Sequence, residues 1–187
     1  MEYRYHYTME YLPTRYEANS REWDNRHAVW NFKDGACSSS ILNDLVEIIN
    51  SIVNGRECEY VICFIPASTK SKTINRFARI ASRLTERTGV MATLSGIYKT
   101  SDSESGHISG KSSNPTADFC FDTSVFRGKK VILVDDVITR GRTFVQTANK
   151  LMANGAASVE GLFEAKTGNP DWNSLVAYKS NIKMTFL

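Results

Sequence analysis

The chain has 187 residues, 42% hydrophobic and 23% charged, a balance that describes one ordinary folded domain and excludes a disordered, fibrous or membrane-embedded chain. No window approaches the run of about 18 apolar residues that a membrane span needs, and the opening MEYRYHYTMEYLP is too polar for a secretory signal, so a cytoplasmic protein without a membrane partner is expected. The net charge of +3 is uneven, because residues 66–111 carry eight Lys/Arg against Glu86, Asp102 and Glu104, a block that suits an anionic ligand and equally a solvated basic face.

Along the chain, Tyr3, Tyr5 and Tyr7 alternate with polar residues as an exposed edge strand would, and Pro13 ends the pattern. This beginning reads as an accessory layer. From Ser38, Ile41, Leu42, Leu45, Val46, Ile48, Ile49 and Ile52 fall at helical spacing, stopped by Asn54-Gly55. Residues 60–65, YVICFI, form a continuous apolar run of strand length before Pro66, as in a central parallel strand covered on both faces. Residues 73–87 place Ile74, Phe77, Ala78, Ala81 and Leu84 on one helical face and Arg76, Arg79, Arg83 and Arg87 on the other.

A short strand is expected around 90–94, then a polar stretch rich in Ser and Gly over 100–116, of a length that inside a compact domain marks a functional or disordered loop. Residues 131–134, VILV, read as a second buried strand, 143–154 as a helix closed by Gly155, and 158–163 as a further strand. The alternation gives an α/β fold with a mostly parallel central sheet and flanking helices. Cys37, Cys58, Cys63 and Cys120 show no C-x-x-C spacing, which argues against a disulfide framework or a four-thiolate zinc site and for reduced, mostly buried thiols.

The stretch VILVDDVITRGRT, 131–143, carries the most chemistry. Two adjacent carboxylates repel, so a partner must offset them. In open parallel sheets ligands sit beyond the carboxyl ends of the strands, which is where Asp135 and Asp136 are expected. The loop after them leads into a helix N-terminus, where unpaired amides and the helix dipole favour an anion. Gly141 lets the backbone approach a ligand closely, and Thr139 and Thr143 add hydroxyls. A phosphate at one end and a carboxylate pair suited to vicinal hydroxyls at the other describe a ribose 5-phosphate. An Asp-Asp pair alone more often ends a strand and caps a turn; the order of strand, acidic pair, Thr/Gly loop and helix is what favours the ligand.

This stretch closely resembles the 5-phosphoribosyl-1-pyrophosphate (PRPP) signature of type I phosphoribosyltransferases. The resemblance implies that fold with a small hood, Mg2+ as cofactor, and transfer of ribose 5-phosphate from PRPP to a nitrogen acceptor with release of diphosphate. It implies that Asp135 and Asp136 engage the ribose hydroxyls directly or through metal-bound water, and that Val137, Ile138, Thr139, Arg140, Gly141, Arg142 and Thr143 wrap the 5-phosphate. PASTKS, 66–71, resembles the family's pyrophosphate loop, with Ala67, Ser68, Thr69 and Lys70 on the diphosphate, although a Ser/Thr-rich helix entry is also an ordinary cap. The stretch 99–116 stands where the family has its flexible closing loop, making Lys99, Lys111 and His107 candidates for charge brought to the transition state.

The whole chain reads as one such domain, with 1–37 and 166–187 as hood segments holding acceptor-side aromatics: Trp23, Trp30 and Phe32, and Trp172, Tyr178 and Phe186. IPASTK, RFARIASRL and ANGAASV look most like the ComF-like branch, over 60–166. That branch's N-terminal zinc-binding cysteines are absent, and Arg140 and Arg142 replace the small or hydroxyl residues common in the phosphate loop. GHISGKS, 106–112, looks like a Walker A loop but is one residue short between its glycines. A catalytic transferase and a PRPP-sensing or DNA-associated protein both stay open, the second favoured by the arginines at 76, 79, 83 and 87. A homodimer is a further partner to consider.

Overall fold

The computed structural model describes residues 2–99 and 114–168, and the backbone of 182–185. Its centre is a six-stranded sheet in the order β3-β2-β6-β7-β1-β8, formed by β1 (Glu2–Tyr11), β2 (Tyr60–Phe64), β3 (Ala92–Thr93), β6 (Lys130–Ile138), β7 (Ser158–Thr167) and β8 (Ile182–Thr185). Five strands run parallel and β8 alone antiparallel. A separate antiparallel pair joins β4 (Ile97–Lys99) to β5 (Phe119–Phe121).

Helices cover both faces, as a parallel sheet requires. On one face α1 (Ser20–Lys33), α2 (Ser39–Val53) and α3 (Lys70–Thr88) bury Phe32, Leu42, Leu45, Ile49, Phe77, Ile80 and Leu84 against Ile62, Phe64, Ile132, Val134 and Leu162. On the other, α4 (Thr123–Phe126), α5 (Arg142–Ala153) and the β4–β5 pair cover Val61, Cys63, Val131, Leu133 and Phe163. The alternation of Ile132 and Val134 with Val131 and Leu133 is the two-residue period of a strand buried on both sides. Phe144 of α5 packs against β7 at Gly161, where an added Cβ would lie 2.8 Å from Phe144 Cε2.

The α/β class and the mostly parallel sheet are as expected, while several local readings are corrected. β1 is an interior strand and not an exposed edge: it pairs with β7 on one side and β8 on the other, and Tyr3 and Tyr5 are buried. Tyrosine permits this because its ring fills a core while its hydroxyl keeps a polar partner; the Tyr3 hydroxyl donates to Asn149 Oδ1 at 2.8 Å. Helix α1 was not foreseen, although Asn19 and Glu22 close a capping box at its start. Its docking depends on Arg26, a buried guanidinium that donates to the carbonyls of Leu12, Pro13 and Tyr16. Phe32 of this helix is fully buried in the core, so it is not a hood aromatic facing an acceptor.

Of the four thiols, Cys63 is buried, Cys37 and Cys120 are half-buried and Cys58 is exposed; none forms a disulfide. Among the described residues no helix is long and apolar enough to cross a membrane.

Candidate active site

β2 and β6 are parallel neighbours, so the segments that follow them leave the sheet at the same edge. Their ladder runs from Tyr60↔Lys130 to Phe64↔Val134, and the Ile65 amide still donates to the Val134 carbonyl at 2.9 Å. β2 has ended at Phe64, just before Pro66, whereas β6 continues beside β7 as far as Ile138↔Lys166. Asp135 and Asp136 therefore lie inside β6, past the point where β2 has ended, and Val137 and Ile138 belong to the strand and not to the loop. This corrects the expectation of a strand stopping at Val134.

Strand conformation turns successive side chains to opposite faces, so the two carboxylates do not form a side-by-side pair. Asp136 lies on the helical face of α1 and α3, where Arg76 Nη1 is 2.8 Å and Lys33 Nζ 4.0 Å from its Oδ2, and its Oδ1 accepts from the Val137 amide. Asp135 is directed to the other face and accepts from the Asp136 amide at 2.8 Å. Burial, and then the charge of Asp136, hold the Asp135 carboxyl well above the usual carboxylate range.

The residues expected to hold a phosphate span the end of β6, the turn at 139–141 and the first residues of α5. Thr139 is exposed and its hydroxyl is 3.1 Å from that of Thr167, linking the ends of β6 and β7. Gly141 is buried and left-handed, with φ of +68°, and serves as the N-cap of α5. It offers no side-chain cap, whereas Asn19, Ser38, Thr69 and Asp122 cap the other four α-helices among the described residues. The amides at the α5 N-terminus are thus left for another acceptor, the arrangement that suits an anion. Arg140 and Arg142 are exposed and Thr143 is half-buried.

The diphosphate candidates follow β2. Ala67 is buried and its amide donates to Thr73 Oγ1 at 3.0 Å, while Thr73 Oγ1 donates to the Thr69 carbonyl and Thr69 Oγ1 accepts from the Lys72 amide. Ser68 is half-buried, and Lys70 is exposed as the first residue of α3. That helix begins three residues earlier than its periodicity suggested. Lys99 lies at the end of β4, 3.1 Å from Asp118 and over the Phe119 ring, so it is bound into the β4–β5 pair. Lys111 and His107, with most of the stretch 99–116, lie outside the described residues, as do Trp172, Tyr178 and Phe186.

The arginine stripe of α3 is not a uniform basic face. Arg76 is committed to Asp136, and Arg87 donates to Asn43 Oδ1. Trp23 and Trp30 of α1 are exposed and, with His27 between them, make a continuous aromatic row with centroids 5.3–6.3 Å apart. Lys33 continues α1 from Trp30 toward Asp136.

Sequence reasoning missed Glu164. It is fully buried on β7, neither carboxyl oxygen has a hydrogen-bond partner among the described residues, and burial followed by the charge of Asp136 pushes it up to about 9. The available signal was a lone acidic residue inside the apolar run GLFEA.

The model of the phosphoribosyl transferase domain matches residues 69–162, half of the chain, from the cap of α3 into β7. The chain belongs to that family. Solved structures similar to it include the allosteric regulatory enzyme of purine biosynthesis (20% identity, TM-score 0.46, covering 73% of this chain and 30% of that one). The hypoxanthine phosphoribosyltransferase of Trypanosoma cruzi (14%, 0.48, 74% and 66%) and a hypoxanthine-guanine phosphoribosyltransferase of Bacillus anthracis (14%, 0.42, 80% and 74%) are similar too. The chain thus spans about a third to three quarters of these proteins. No curated protein matches it.

Proposed function

We propose that this family member binds PRPP and transfers its ribose 5-phosphate to a nitrogen acceptor of nucleobase type, releasing diphosphate. The observation that carries the reading is the sheet edge where β2 ends and β6 continues. Asp135 is on the strand that leads into the uncapped N-terminus of α5, beside the strand that leads to the segment 67–70. A phosphate on the amides after Gly141, a ribose hydroxyl at Asp135 and a diphosphate at residues 67–70 would follow the order of groups along PRPP.

The donor set suits Mg2+ carried in by the diphosphate. That ion is held by one or two carboxylates together with substrate phosphates more often than by an all-protein cage, and Asp135 is the carboxylate not already paired with Arg76. When bound, the metal would offset charge on the leaving diphosphate. The protein's own contribution is positioning and electrostatics: the α5 amides fix the phosphate end, Asp135 orients the ribose, and the loop before α3 receives the departing anion. Displacement at the anomeric carbon breaks its bond to the diphosphate oxygen and forms one to the acceptor nitrogen, without a covalent protein intermediate.

We place the acceptor at the exposed aromatic row of α1, with Trp30 and His27 as its aromatic surface. The finer resemblance to the ComF-like branch rests on the motifs quoted above. A diphosphate-release assay with PRPP, Mg2+ and a panel of purine and pyrimidine bases tests the function. Release with one class of base supports transfer, whereas PRPP binding without release from any base leaves a PRPP sensor.

A further inference from the structure

Asp136 has little of its carboxylate left to offer a diol: its side chain is 12% exposed and faces Arg76 and Lys33. Arg76 belongs to the helix whose first turn holds the candidate diphosphate segment. Thr69 caps α3, and the Thr73 hydroxyl joins the Ala67 amide to the Thr69 carbonyl. The segment before α3 is therefore fixed to its first turn, and α3 is fixed two turns later to β6, the strand that carries Asp135. The end of α1 joins the same contact. Arg76 Nε donates to the Lys33 carbonyl, Asn75 Nδ2 to the Asp34 carbonyl, and Gly35 lies so close to α3 that an added Cβ would collide with the Asn75 carbonyl.

We propose that Arg76 and Asp136 are a positioning pair, that Asp135 alone is the ribose-facing carboxylate, and that the pair sets the spacing between the diphosphate and ribose subsites. This rests on the PRPP reading given above. A ligand with two recognised ends gains affinity when both subsites are held at its own spacing, because the second contact forms with little further loss of freedom. A ligand that touches one end gains nothing from that spacing. The pair is therefore felt by PRPP and not by either of its halves.

The test is isothermal titration of the full chain, in Mg2+, with three probes: ribose 5-phosphate, inorganic diphosphate and PRPP. In Arg76→Met and in Asp136→Asn, PRPP affinity falls by about tenfold or more while both half-ligands stay within about twofold of the wild type. The double variant is no worse than either single one, since both remove the same contact, and Arg76→Lys recovers part of the loss. Asp135→Asn weakens ribose 5-phosphate and PRPP together. An Asp136→Asn variant that loses ribose 5-phosphate as Asp135→Asn does would make Asp136 a direct ligand and overturn the proposal. Equal loss of all three probes in Arg76→Met, with Arg76→Lys no better, would reduce the pair to general structural support and overturn it too. Wild-type protein that fails to bind PRPP removes the PRPP reading and this proposal with it; unchanged PRPP affinity in Arg76→Met removes the proposal alone.

Discussion

Glu164 on β7 and Asp136 on β6 occupy neighbouring positions of two paired strands, between the register pairs Asp135↔Phe163 and Val137↔Ala165, and face the same helical layer. Asp136 has Arg76 and Lys33; Glu164 has no hydrogen-bond partner among the described residues and stays protonated at neutral pH because burial, and then Asp136, raise it to about 9, against a smaller lowering by Lys33. Between its ordinary value of 4.5 and about 9, the folded protein holds a proton that the unfolded chain has released. This group's contribution to stability is therefore fully present below 4.5 and declines as pH rises, by at most about 1.4 kcal/mol per pH unit. Urea midpoints at pH 6, 7 and 8 should fall for the wild type and stay flatter for Glu164→Gln. Parallel curves would contradict this assignment.

The close approach of the α1–α2 turn to α3 leads to a second expectation. Gly35 has φ of +85°, and a Cβ there would lie 2.2 Å from the Asn75 carbonyl oxygen. Gly35→Ala combines left-handed strain with a backbone collision that no rotamer relieves, and should cost about 2 kcal/mol or more. Because Asn75 and Arg76 of α3 are the residues displaced, amide exchange should speed up in α3 before it does in α5. An unchanged melting temperature would show that the seam is looser than its geometry.

Gly141 joins conformation to ligand binding. Its φ of +68° is open to glycine and costs a β-branched residue about 1–3 kcal/mol, while a side chain there would also stand at the helix end that receives the phosphate. Gly141→Val should lose ribose 5-phosphate binding at a temperature where circular dichroism still reports a folded protein. Retained binding would place the anion elsewhere.

Thiol reactivity gives an independent check on the core. Cys63 sits in β2 with its thiol pushed up to about 12 by burial, Cys37 is raised to about 11, and Cys58 is exposed. Since the thiolate is the reactive form, an aromatic disulfide reagent should modify Cys58 first and Cys63 only on unfolding. Early labelling of Cys63 would show that β2 opens readily.

The legible parts of this fold were those in which one segment carried its own signal. The apolar runs of β2 and β6, the helical spacing of α2 and the glycine before α5 needed no knowledge of neighbours. What escaped depended on partners distant in sequence. The tyrosines of β1 read as an edge because their rings look amphipathic until β7 and β8 enclose them. α1 lacks a clear apolar stripe because a buried arginine, Arg26, occupies its inner face and is satisfied by carbonyls ten or more residues away. The acidic pair was found but its division between two faces was not, since the continuation of β6 to Ile138 is set by pairing with β7. Glu164 was hidden for the same reason: its burial is a property of the sheet and not of its own segment.

The most direct test of the central claim is calorimetric titration of PRPP with Mg2+ into the wild type and into Asp135→Asn. The account predicts saturable binding at one site per chain in the wild type, weakened by about tenfold or more in Asp135→Asn, because a contact of the Asp135 carboxyl to the ribose hydroxyls is lost. Equal affinity in the two proteins, or none in the wild type, would contradict it.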